Sequence, residues 1–139
     1  MGHPFDVERA SEMHVEWCKD LANKMGLVTT HQSGPQMRAV MHELRSVIPP
    51  QSVLKIANVL PALERGIFLE NWSLDDRTME LRDASEFADR VYERVKAHHA
   101  RVHSLVQDVF WLWNEKLGER KGAVIRECLP SVLRPLWPA

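Results

Sequence analysis

Leu60-Pro61-Ala62-Leu63-Glu64-Arg65-Gly66-Ile67-Phe68 is answered, 69 residues further along the chain, by Leu129-Pro130-Ser131-Val132-Leu133-Arg134-Pro135-Leu136-Trp137. Outward from that pair, Val40 falls on Val109 and Ile56 on Ile125, and the apolar pattern superposes with them: Met37 on Val106, Met41 on Phe110, Leu44 on Trp113, Ile48 on Leu117. With the shift widened to 70 the upstream segment follows, placing Trp17 on Phe87, Leu21 on Val91, Lys24 on Arg94 and Met25 on Val95. Self-similarity at a fixed period marks a duplicated supersecondary unit.

Every long periodic stretch within the unit has the helical period. The clearest stripe is Met37, Val40, Met41, Leu44, Val47 and Ile48, the i, i+3, i+4, i+7 pattern of a helix that buries one face. Gly26, Ser33-Gly34-Pro35, Pro49-Pro50 and Pro61 punctuate the first half. The expected fold is all-α, with about eight helices arranged as two pseudo-symmetric four-helix repeats in one compact bundle. The expected boundaries are a single domain over 6–138, with repeat one at 6–72, a connector at 73–82 and repeat two at 83–138. Asp83 and Glu86 have the spacing of a helix-capping box. The connector contains Trp72, Leu74, Met79 and Leu81 at its edges and within it, and is expected to pack onto the body.

Composition narrows the function classes. Of 139 residues, 45% are hydrophobic and 27% charged, as in ordinary globular proteins. A net charge of −1 argues against non-specific binding to nucleic acid or acidic membranes. The longest apolar run, Val109 to Trp113, is far short of the ~20 residues a membrane span requires. The opening residues lack the basic and apolar regions of a secretory signal. Cys18 and Cys128 stand far apart on apolar helical faces and read as reduced core thiols. A cytoplasmic protein with no nucleic-acid or membrane partner is expected.

The stretches Leu60–Trp72 and Leu129–Pro138 resemble a signature of the bacterial family called domain of unknown function 2267. There, a leucine-proline, then leucine-arginine, then apolar-aromatic element closes each of two all-helical repeats, and a glycine-tryptophan turn follows the first. Here Asn71 stands where that turn has glycine, and Glu64 replaces a leucine. The likeness spans roughly residues 10–138. It implies fold and bacterial origin, and brings no reaction, cofactor or site residue with it.

Candidate sites are few. His99 and His103 are one helical turn apart and have a spacing that can chelate a transition metal. No carboxylate except Asp108 stands at matching spacing on that helix as a third ligand, and neither Glu-x-x-His nor His-Glu-x-x-His occurs, so a solvated interhelical turn is the simpler account. Arg65 and Arg134 occupy equivalent places and could jointly hold an anion between the repeats. They could equally bond helix-terminal carbonyls. His14 lies on an apolar face as a core or interface histidine. Arg90, Arg94 and Lys96 are interleaved with Asp89 and Glu93, which points to pairing along an exposed face. No phosphate-binding glycine loop, nucleophile elbow or paired cysteine–histidine spacing is present, so the sequence gives no ground for an enzyme and no cofactor is expected.

The main difference between the copies is that His42 and Glu43, expected to face solvent, become Trp111 and Leu112. The middle of the second-repeat helix is then apolar nearly all round and must be covered on every side, by the other repeat or by a partner chain. The leading expectation is therefore a non-enzymatic interaction or regulatory module, with Trp111 and Leu112 at the contact and a homodimer as one form of it. The alternative is a protein that binds a small molecule, anion or metal in the cleft between repeats, with an enzyme as one form of it.

Overall fold

Proline and glycine set where the helices stop and turn. The computed structural model describes residues 4–27, 30–97 and 101–139, without the side chains of residues 4, 5, 30 and 31. The described residues contain six α-helices and no strand: α1 (Pro4–Met25), α2 (Thr30–Ser46), α3 (Pro50–Val59), α4 (Ala62–Leu69), α5 (Ala84–Val95) and α6 (Leu105–Cys128), then a single 3-10 turn at Arg134–Leu136. None of them is long and apolar enough to cross a membrane.

Gly26 adopts φ 74° after α1, and two amide bonds, Leu27 to the Ala22 carbonyl and Gly26 to that of Asn23, close a Schellman turn. Pro49 and Pro61 are the extended N-cap residues of α3 and α4, where the preceding helix cannot continue. Asp83 accepts the Glu86 amide at 2.8 Å, and the Glu86 carboxylate accepts the Arg82 amide at 2.9 Å.

Six helices stand where about eight were expected, for two local reasons. The segments expected as separate helices before and after Gly118 are both helical and abut as one element, α6, interrupted by a kink where Gly118 takes the non-helical φ 83° and ψ 172°. The segment 130–137 forms only the single 3-10 turn, because Pro135 lacks the amide donor that a longer helix would need at that place. The start of α2 also lies upstream of Ser33, so Pro35 sits inside the helix.

The core is one cluster drawn from every helix. Trp113, Phe110, Phe87, Phe68, Leu21, Met37, Met41, Leu44, Ile56 and Leu112 are fully buried. Phe110 packs against Trp113 and Trp137 with ring centroids 5.8 and 5.6 Å apart, in the tilted range favoured by aromatic quadrupoles. α2 lies against α1, α4 and α5, while α6 lies against α1 and α3.

The connector is held mainly by its backbone. Met79 donates its amide to the Ser46 carbonyl at 2.8 Å and Thr78 its hydroxyl to that of Ile48 at 3.4 Å. Trp72 and Leu81 pack on the core, whereas Leu74 and Met79 stay exposed. At its start Asn71 has φ 57°, the left-handed region that glycine enters freely and asparagine tolerates. This is the position at which the family signature has glycine. Asn71→Val should therefore lower stability by about 1–2 kcal/mol, and Asn71→Gly should leave it nearly unchanged; urea denaturation of both variants tests the pair.

Candidate functional site

The richest polar constellation forms where α2, the connector and α5 meet. The buried stripe of α2 faces the core, and its flank carries Arg38, His42 and Arg45. At the end of α4, four residues' worth of carbonyls have no helical partner. His42 Nε2–H donates to the Ile67 carbonyl at 2.7 Å, and Arg45 Nη1 donates to those of Phe68 and Glu70 at 2.8 and 2.6 Å. These bonds cap α4 and hold both side chains in place. Arg38 pairs with the Glu70 carboxylate.

On the opposite side, Glu43 is 5% exposed, not solvent-facing as its sequence position suggested. Arg94 of α5 donates Nε to it at 2.7 Å, and Arg90 approaches its other oxygen to 3.8 Å. The arginines read as part of an exposed, self-paired face thus reach across to α2. Asp89 pairs instead with Arg101, and Glu93 with Lys96.

Between these groups is a groove of about 330 Å³, lined by His42, Arg45, Arg94, Asp76, Arg77 and Trp72 among others. Its charge is unbalanced. Carbonyls carry only partial charges, so Arg45 keeps its full charge despite being bonded. Arg94 is paired with Glu43, which Arg90 shares while also pairing with Glu86, whereas neither Arg45 nor Arg77 makes an ion pair among the described residues. Asp76 is the only carboxylate lining the groove. The protonation of His42 reflects this field. Burial lowers its pKa first, the Ile67 carbonyl opposes that, and Arg45, Arg38 and Arg94 lower it further. Arg45 is shifted down by burial and by Arg94, with Asp76 opposing. The arrangement can hold an anion in a partly desolvated, cationic recess.

A second cluster joins α1 to α4. His14 Nδ1–H donates to Glu64 Oε1 at 2.7 Å, and Cys18 Sγ lies 3.6 Å from His14 Nε2. The order thiol, imidazole, carboxylate is that of a nucleophilic relay. The thiol, however, is 6% exposed, and burial followed by the Glu64 charge raises its pKa. Glu64 is fully buried, with Oε2 lacking a partner among the described residues. This cluster is a closed structural pair.

The residues singled out from sequence are placed as follows. Arg65 donates to the carbonyls of Ala57 at 2.7 Å and Leu60 at 3.0 Å; Arg134 donates to those of Leu129 at 3.2 Å and Glu127 at 3.4 Å. The groove beside Arg65 is completed by Lys116 and Lys121, not by Arg134. His103 is exposed, and its intended partner His99 lies outside the described residues. No group of three metal-ligating side chains occurs among the described residues. Leu112 is fully buried, and Trp111 packs on the core with the Lys24 ammonium 4.8 Å from its ring centroid.

Sequence reasoning missed His42, Arg45 and Glu43. A signal for Glu43 was present: Gln36, Val40, Glu43 and Val47 form a second stripe at i, i+4, i+7 and i+11, and all four are buried. Arg45 had no such signal, because its role depends on where α4 ends in space.

No curated protein sequence matches the chain. A family model described as an uncharacterized conserved protein, DUF2267, matches residues 14–136, and the chain belongs to that family.

Proposed function

We propose that this protein is a binding module built from two repeats, and that it takes a small anionic ligand in the groove between them at His42, Arg45, Arg77 and Arg94. Two kinds of correspondence support the repeat reading. Arg65 and Arg134, 69 residues apart, each bond the carbonyl five residues back. The α2–α5 and α6–α1 seams are also counterparts. Where the first sets Glu43 against Arg94, the second sets Trp111 and Leu112 against Lys24. The groove flanks the ionic seam, and α2 and α5 come from different halves.

The observation that carries the anion reading is the uncompensated charge: of the three arginines lining the recess only Arg94 has a carboxylate partner among the described residues, and Asp76 is the single carboxylate among the walls. Contact through Trp111 and Leu112 has less behind it, since Leu112 is buried and Lys24 covers the Trp111 ring.

A thermal-denaturation series against sulfate, with sodium chloride at matched ionic strength as the control, tests the reading. Sulfate at a hundred times its dissociation constant should add about 2.7 kcal/mol to stability. Arg77→Glu removes an exposed side chain with no ion pair, so it should fold normally and weaken sulfate binding about tenfold. Equal stabilisation by chloride, or an undiminished sulfate effect in Arg77→Glu, would exclude this groove.

A further inference from the structure

We propose that the ligand is a low-molecular-weight phosphomonoester, held as a tetrahedral dianion, and that it enters the groove together with a proton captured on His42 Nδ1. This rests on the anion-binding reading above and assigns the ligand class and a regulating group to the same site. The volume, about 330 Å³, lies at the small end of ligand pockets, which suits a metabolite rather than a chain. The cationic groups come from three directions: Arg45 and His42 on α2, Arg77 on the connector and Arg94 on α5. Donors spread in this way suit oxygens that point several ways, whereas a planar carboxylate is satisfied by one guanidinium fork.

His42 supplies the proton linkage through its hydrogen-bond roles. Nε2 is committed as a donor to the Ile67 carbonyl, so the neutral ring has Nδ1 as a lone-pair acceptor, which repels an anion. Protonation makes Nδ1 a donor. The groups around the ring are Arg38 and Arg45 of α2, Arg94 of α5, Asp76 and Arg77 of the connector, and at the end of α4 the Ile67 carbonyl and Glu70, the latter held by Arg38. In the empty groove, burial and the three α-helical arginines keep the ring neutral below the ordinary 6.5. A bound dianion opposes those charges and favours the imidazolium.

The sign follows. In the ligand-free protein a lowered pKa means that the stability linked to His42 is present above 6.5 and is lost as pH falls through the folded-state value. Binding runs the other way: affinity is highest below the His42 value of the empty protein and declines as pH rises through its value in the complex.

Sulfate is the appropriate probe because it stays a dianion from pH 5 to 8, whereas a phosphomonoester titrates near pH 6. Isothermal titration of sulfate should show affinity falling by up to tenfold per pH unit between the His42 transitions of the free and the sulfate-bound protein, the limiting slope for one linked proton. His42→Gln places an amide donor toward the Ile67 carbonyl and does not titrate, so its sulfate affinity should be flat over the same range. In the wild type, the His42 ring resonance should titrate at higher pH with sulfate present than without. Methyl phosphate should bind, and acetate at the same concentration should not.

The possible failures are distinct. If sulfate binds with no pH dependence, or if His42→Gln keeps the wild-type slope, the proton linkage is wrong and the anion reading stands. If acetate binds as well as methyl phosphate, the ligand class is wrong. If sulfate does not bind at any pH, the anion reading itself falls.

Discussion

Replacing His14 by alanine should destabilise the folded protein by about 3 kcal/mol, the lower end of what breaking a buried ion pair costs. Glu64 is fully buried, and its only hydrogen bond among the described residues is the one from His14 at 2.7 Å. Its second oxygen already has no partner. Deleting the imidazole leaves a carboxylate with neither water nor a donor, and the group must protonate or draw water into the core. The lower end of the range applies because the His14 side chain is 27% exposed, so its removal opens a path for solvent. Adding Glu64→Met to His14→Ala should recover most of the loss, since an apolar pair can replace a buried ionic one at little cost. Urea unfolding of the two single variants and the double variant closes the cycle. A His14→Ala loss under 0.5 kcal/mol would mean that Glu64 is not sealed as described. No rescue in the double variant would mean that packing rather than the lost partner accounts for the loss.

A larger effect is expected at Leu112. Glu43 and Leu112 are equivalent under the 69-residue shift, and Glu43 is tolerated in its seam because Arg94 and Arg90 meet it. The counterparts of those arginines under the 70-residue shift are Lys24 and Asp20. Lys24 is engaged over the Trp111 ring, and Asp20 pairs with Lys116. A glutamate at 112 would thus be buried, with no free cation at the positions that correspond to Arg94 and Arg90. Leu112→Glu should cost more than about 4 kcal/mol, most of the stability of a domain at the low end of the ordinary range. Leu112→Met should cost less than about 1.5 kcal/mol. Far-ultraviolet circular dichroism with urea titration distinguishes them. A folded Leu112→Glu within 1 kcal/mol of wild type would show that this face of α6 is free, and would return the protein-contact reading to the front.

The same two positions mark what the sequence could and could not convey. The helical class, the burial of Trp17, Trp113 and Trp137, and the stops at Gly26, Pro49 and Pro61 follow from periodicity and backbone chemistry, which are local. The helix count differs because the helical segments on either side of the kink at Gly118 abut with no intervening loop and form one element, and because Pro135 reduced the final segment to one turn. Glu43 was misplaced on the surface by its residue type. Its counterpart under the 69-residue shift, Leu112, is apolar, so the comparison of the two stretches already pointed to a buried position. The groove was not legible. Arg45 and His42 are fixed by carbonyls at the end of α4, more than twenty residues along the chain, and Arg77 enters only because the connector is tied to Ser46 and Ile48. Such sites arise from the packing of elements, and no spacing pattern encodes them.

The most direct test of the account is a crystal structure of the protein grown with tungstate, a tetrahedral dianion whose metal gives an anomalous signal. The account predicts an anomalous peak in the groove, within hydrogen-bonding reach of Arg45, Arg77 or Arg94 and beside the His42 ring, absent from an Arg77→Glu crystal grown in the same way. A peak confined to other sites, or an empty groove at saturating tungstate, would contradict it.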